Sequence, residues 1–225
     1  MKNQTLFLIT TLTLIGTEQA QVAAPTQDVY LGLGLPGVVT LGYATPLGET
    51  WGVRAEYAGR LRLSQDGSNS GVSYTGSVNA SHFGGFVDWF PFDNGFRLVG
   101  GLTANDIKAS LISSSTGTAT INGITVSMAG QTFNVDIKFP STTPYVGIGY
   151  GHQRSDQPGL GFYADAGLML GTFTTAVTTS LTNGPIGGVT ITQADVDAQT
   201  QSMRNSLANV NFMPRIAIGV AYGFN

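Results

Sequence analysis

The fold class predicted by this sequence is all-β: a transmembrane antiparallel up-and-down barrel of eight strands. Short turns close one end, two long loops the other, and a short helix sits in the last loop. Three observations predict it. Along residues 51–63, Trp51, Val53, Ala55, Tyr57, Leu61 and Leu63 share one parity and Arg54, Glu56, Arg60 and Arg62 the other. A strand built from them shows hydrocarbon on one face and ions on the opposite face. The same period recurs in segment after segment up to residue 224. Finally, only 10% of residues are charged against 42% hydrophobic, yet no long apolar run accounts for the deficit. Soluble eight-stranded barrels also alternate, but they fill their interiors with apolar side chains. Here charges and glycines share a parity, as a closed barrel in lipid requires.

Residues 6–15 are too short and too interrupted by threonine to span a bilayer as a helix, which takes about 20 apolar residues. With Lys2 ahead and Ala20, Ala23 and Ala24 behind, residues 1–24 read as a secretory signal peptide cleaved between 20 and 24. Residues 25–225 then form a single barrel domain. Loss of Lys2 and Glu18 turns 10 basic and 13 acidic residues into 9 and 12, so the net charge stays at −3. That balance argues against a nucleic-acid partner, which needs a basic face. No cysteine is present, which excludes disulfides and thiolate metal sites, and no cofactor is expected.

In chain order, Val29, Leu31 and Leu33 make the first strand and Val39, Leu41 and Tyr43 the second, around Leu35-Pro36-Gly37. Residues 51–63 follow. Phe83, Val87 and Trp89 then oppose His82, Gly84 and Asp88, and Phe96, Leu98 and Leu102 oppose Arg97, Gly101 and Thr103. Val146, Ile148 and Tyr150 alternate with glycines; Phe162, Ala164, Ala166 and Leu168 alternate with Tyr163, Asp165 and Gly167. The last strand sets Pro214, Ile216, Ile218, Val220, Tyr222 and Phe224 against Arg215, Ala217, Gly219 and Ala221. Connections at 46–49, 91–95 and 154–159 are brief and turn-like. Two others are long and polar, at 113–140 and 176–210, the asymmetry of outer-membrane barrels. Within the first, residues 113–123 and 128–139 read as a hairpin turning at Asn122-Gly123. Within the second, Thr192 and Asp195 resemble a capping box, and Val196, Thr200, Met203 and Leu207 recur at helical spacing. Tyr43, Trp51, Trp89, Phe96, Tyr150, Tyr222 and Phe224 gather toward the short-turn end as an interfacial girdle.

Arg54, Glu56, Asp88, Arg97, Asp165 and Arg215 all fall on the parity opposite the lipid face. Three are basic and three acidic, so a neutral ion-pair network in the lumen is expected. Other motifs carry less. Gly32-Leu33-Gly34-Leu35-Pro36-Gly37 matches a dinucleotide fingerprint, but a strand follows where the fingerprint needs a helix. Ser81 and His82 are adjacent on a strand and point to opposite faces, so they form no hydrolytic pair. His82 is expected to be a hydrogen-bonded interior residue and His152 an interfacial one.

The closing segment, with Ile218, Val220, Tyr222 and Phe224 in register, resembles the C-terminal signal that the barrel-assembly machinery reads, although Asn225 follows the aromatic. Over nearly its full length the chain resembles the eight-stranded outer-membrane class typified by OmpA, OmpX and OmpW. That resemblance implies a bacterial outer membrane, with its lipid and lipopolysaccharide and the assembly machinery as partners. An eight-stranded barrel has room for side chains or one small ligand, which excludes a general porin. The expected role is non-catalytic, in envelope integrity or surface contact. The alternatives are an OmpW-like conduit for small hydrophobic solutes and, less favoured, a lipid-modifying enzyme.

Overall fold

Alternating residues pair into one continuous antiparallel sheet in the computed structural model, which describes residues 27–69, 72–92, 94–115, 117–152, 158–208 and 210–224. The strands are β1 (Gln27–Leu35), β2 (Val39–Pro46), β3 (Trp51–Asn69), β4 (Val72–Trp89), β5 (Phe96–Ser115), β6 (Thr118–Ile121), β7 (Ile124–Ser127), β8 (Gln131–Lys138), β9 (Thr142–Tyr150), β10 (Gly159–Leu170), β11 (Thr174–Thr179) and β12 (Phe212–Phe224), of which β6 and β7 pair only with each other, apart from that sheet. One helix, α1 (Gln193–Ala208), lies between β11 and β12. Eight strands close a ring in the order β1, β2, β3, β4, β5, β9, β10, β12. The seam is β1 against β12, in register from Gln27 opposite Phe224 to Leu35 opposite Ile216. The expected signal segment and Asn225 lie outside the described residues.

The ring is inside out relative to a water-soluble protein. Phe162 is 80% exposed on its outer face and Ile218 61%, while Asp88 and Arg97 are fully buried within it. Apolar surface on that scale needs an apolar solvent or a partner. Near the short-turn end Trp51 and Trp89 face outward, their rings stacked 6.1 Å apart.

Three features depart from the sequence reading. First, β3 and β4 run for 19 and 18 residues, far beyond the apolar alternation, because the mostly polar residues 64–69 and 72–80 continue the ladder out to Asn69 opposite Val72. β5 pairs with β9 through Phe96 to Ala104 and with β8 through Lys108 to Ser114. A sheet of β3, β4, β5, β8 and β11 therefore stands above the ring at the long-loop end. Second, the predicted hairpin is smaller. Only β6 and β7 pair, turning at Asn122 and Gly123, whose φ angles of 50° and 80° suit the tight turn that Asn-Gly favours. Residues 131–138 pair with β5 and β11 instead.

Third, the alternation across 51–63 is broken by a bulge. Ala58 lies opposite His82 but Leu61 lies opposite Ala80, so Gly59 and Arg60 together face one residue, with Arg60 at φ 72°. One extra residue reverses every later side chain. Leu61 turns in to pack against the buried interior cluster, and Arg60 and Arg62 are exposed outside.

The capping box at α1 is present. The Thr192 N–H donates to Asp195 Oδ2 at 3.0 Å, and the Asp195 N–H donates back to Thr192 Oγ1 at 3.3 Å. Asn122 of the hairpin donates to the same carboxylate at 3.1 Å. These bonds, from Thr192 first and then Asn122, hold the Asp195 carboxyl below its usual range. Val196 packs with Ile121, Val126, Met128, Leu181 and Ile191 in a separate apolar cluster, so helix and hairpin form one body over the sheet.

Candidate functional site

Side chains of one parity from β3, β4, β5, β10 and β12 meet inside the ring. All six of Arg54, Glu56, Asp88, Arg97, Asp165 and Arg215 are buried there. Arg54 Nε donates to Asp88 Oδ2 at 2.6 Å, and its Nη1 donates to Asp165 Oδ2 at 3.1 Å and stands 3.9 Å from Glu56 Oε2. Arg97 Nη2 donates to Asp165 Oδ1 at 2.5 Å, and its Nη1 donates to the Gly151 carbonyl. Arg215 donates to Glu56 Oε1. Each guanidinium thus has at least one carboxylate, which isolated charges in such a setting would lack at great cost. Phe86 sits among them, with Arg54 Cζ 5.0 Å and Arg215 Cζ 5.5 Å from its ring centre.

Space for this cluster comes from glycine. A Cβ on Gly149 would collide with Asp165 Oδ1 and lie 2.7 Å from Arg97 Cζ, so β9 passes close to the ions only because that position carries no side chain. Alternation of glycine with apolar residues in β9 marks the strand, but nothing in the sequence says which glycine faces which charge.

Two aromatic hydroxyls extend the network. Tyr30 donates to Glu56 Oε2 at 3.2 Å, and Tyr145 accepts from Arg215 Nη1 at 3.5 Å. Neither stands out in the sequence, although both share the parity of the ions. His152 corrects the interfacial expectation: it is buried, 2.8 Å from Asp28 Oδ1, and packs on Tyr30 and Tyr163. A turn histidine that faces inward closes the lumen where an outward one would meet the interface. His82 is buried inside while Ser81 lies on the other face, as strand parity demands. Its ring is not hydrogen-bonded as expected; the nearest carboxylate oxygen is Glu56 Oε1 at 3.6 Å.

Val99, level with Asp88, joins Ile107, Phe139 and Met169 in one apolar cluster, and the hydrogen-bonded pair Thr103 and Thr143 is buried beside it above the ions. Higher still, a cavity of about 700 Å³ runs along the sheet, lined chiefly by Leu63, Val78, Leu111, Val135 and Ile137 with Met203 of α1. Of the remaining residues singled out in the sequence, Ile218, Val220 and Tyr222 are outward on β12 and Phe224 is half-buried. In α1, Val196 and Thr200 are buried and Met203 half-buried, whereas the side chain of Leu207 lies outside the described set.

These features define a ring of eight antiparallel strands with an ionic interior. The chain is similar to solved barrels of Acinetobacter baumannii. CarO2 matches with a TM-score of 0.58 and 16% identity, over 88% of this chain and 98% of that one. CarO matches with a TM-score of 0.55 and 16% identity, over 91% and 99%. No family model and no curated protein sequence matches.

Proposed function

We propose that this protein is a non-catalytic outer-membrane barrel with a sealed lumen, acting at its long-loop end in envelope integrity or surface contact. The observation that carries the reading is the network of three guanidinium and three carboxylate groups filling the ring. The outward apolar side chains and the outer-membrane character of the CarO neighbours support placement in that membrane. None of the described helices is long and apolar enough to cross a membrane. Short turns then face the periplasm and long loops the exterior, with lipid and the assembly machinery as partners.

A second reading, the OmpW-like conduit, is favoured by one observation: the apolar cavity at the long-loop end. β11 pairs with β8 but not with β12, which leaves a lateral gap beside it. A small hydrophobic solute held there could leave sideways into lipid without passing the ions.

Purified protein in a planar bilayer tests both readings. The native chain is expected to give no stable conductance, and sustained single-channel current would overturn the sealed lumen. In the same preparation, saturable binding of an environment-sensitive naphthylamine dye, lost in Leu111→Arg, supports the conduit. Absence of saturable binding removes it.

A further inference from the structure

The bulge at Gly59 and Arg60 does more than reverse parity: it assembles a cationic patch on the outside of the barrel. Of the ten basic residues, Arg54, Arg97 and Arg215 are in the lumen, Lys2 and Arg154 lie outside the described residues, and Arg204 is on α1. The other four, Arg60, Arg62, Lys108 and Lys138, are all exposed on one side of the outer surface. Arg62 pairs with Asn79, Asn79 with Lys108, and Lys108 with Lys138, so three cations occupy one transverse row across four strands. Asp106 answers only part of this charge, through its ion pair with Lys108 at 2.6 Å. Like charges directly opposite each other on neighbouring strands repel, and Lys108 opposite Lys138 is such a pair. Beside them and the bulge lies an outer cleft of about 930 Å³, lined by the cations Arg60, Arg62 and Lys108, the single carboxylate of Asp106, and Tyr57, Leu61, Asn79, Ala80 and Ser81.

Height identifies the occupant. Lys108 is ten residues along β5 from Leu98, and Asn79 ten residues along β4 from Trp89. At about 3.4 Å per residue and a tilt of about 40°, the row stands roughly 26 Å above the tryptophan pair, close to the ~25 Å height of an outer-membrane apolar band. Outward Tyr57, Phe83 and Leu102 lie between, offering a surface for acyl chains. We propose that this patch binds the phosphorylated glucosamine headgroup of lipopolysaccharide in the outer leaflet. Arg60 and Arg62 take phosphate through their planar donor forks, and Lys108 and Lys138 supply point charge. The assignment rests on the outer-membrane reading above.

Native mass spectrometry of the full chain, folded in non-ionic detergent and titrated with bisphosphorylated lipid A, dephosphorylated lipid A or inorganic phosphate, tests it. The native chain is expected to bind the bisphosphorylated lipid at least about tenfold more tightly than the dephosphorylated one. Arg60→Gln with Arg62→Gln should abolish that preference, whereas Arg204→Glu, which lowers the net charge by the same two units on the helix, should keep it. These substitutions are exposed, and folding is checked by heat-modifiable gel mobility. Equal binding of the two lipids, or an unchanged preference in the double variant, overturns the site. Competition by inorganic phosphate at the lipid's own affinity overturns the lipid as its source. Failure of the outer-membrane reading shows separately, as native protein that does not insert into phosphatidylcholine vesicles.

Discussion

Arg54→Ala is expected to destabilise the folded barrel by about 3 kcal/mol. The guanidinium lies between Asp88 at 2.6 Å and Asp165 at 3.1 Å, with both carboxylates buried. Its loss leaves Asp88 facing only Arg97 Nε at 3.7 Å, while Asp165 keeps its 2.5 Å partner. Most of the cost is therefore a buried carboxylate left with one distant cation and no guanidinium hydrogen bond, rather than the missing attraction. If that is so, removing the orphaned charge as well, in Arg54→Ala with Asp88→Asn, should recover part of the loss. Urea unfolding in phospholipid vesicles measures both variants. A single-variant loss below about 1 kcal/mol, the scale of an exposed ion pair, would contradict the buried network.

Ile218→Arg should cost roughly 2 to 4 kcal/mol in the same assay by an unrelated route. Ile218 is 61% exposed on the outer face, mid-strand in β12, opposite Leu33 on one side and Ala164 on the other. An arginine there meets hydrocarbon, with no carboxylate to pair it and only the distant interface to reach. The cost should depend on the medium. A variant as stable as the native chain in thick bilayers would place that face in water or against protein.

The two variants probe the two faces of one wall, and both faces were legible from parity alone. Residues 214–224 alternate without a break, so Arg215 inside and Ile218 outside follow from counting. The six ionic residues could be grouped on one side of eight strands for the same reason. Their individual partners could not, because register between strands distant in sequence, such as Arg97 with Asp165, depends on how the ring closes.

The bulge at residues 59 and 60 shows a different limit. Leu61 and Leu63 keep the parity of Trp51 and Val53, and Arg60 and Arg62 that of Arg54, so the pattern looks unbroken. The extra residue turns the leucines to the inner face and the arginines outward, and apolar and charged residues suit both faces at that height. Only Gly59 within the strand hinted at it. The extension of β3 and β4 was hidden likewise, since above an apolar solvent a sheet no longer needs an apolar side.

The most direct test of the inside-out barrel uses the chain's own two tryptophans, Trp51 and Trp89, stacked on the outer face. In vesicles of lipids brominated at defined depths, their fluorescence should be strongly quenched, most by bromines near the headgroup end of the acyl chain. Fluorescence unaffected by brominated lipid at every depth, but quenched by aqueous iodide, would contradict a barrel whose outer wall faces the membrane.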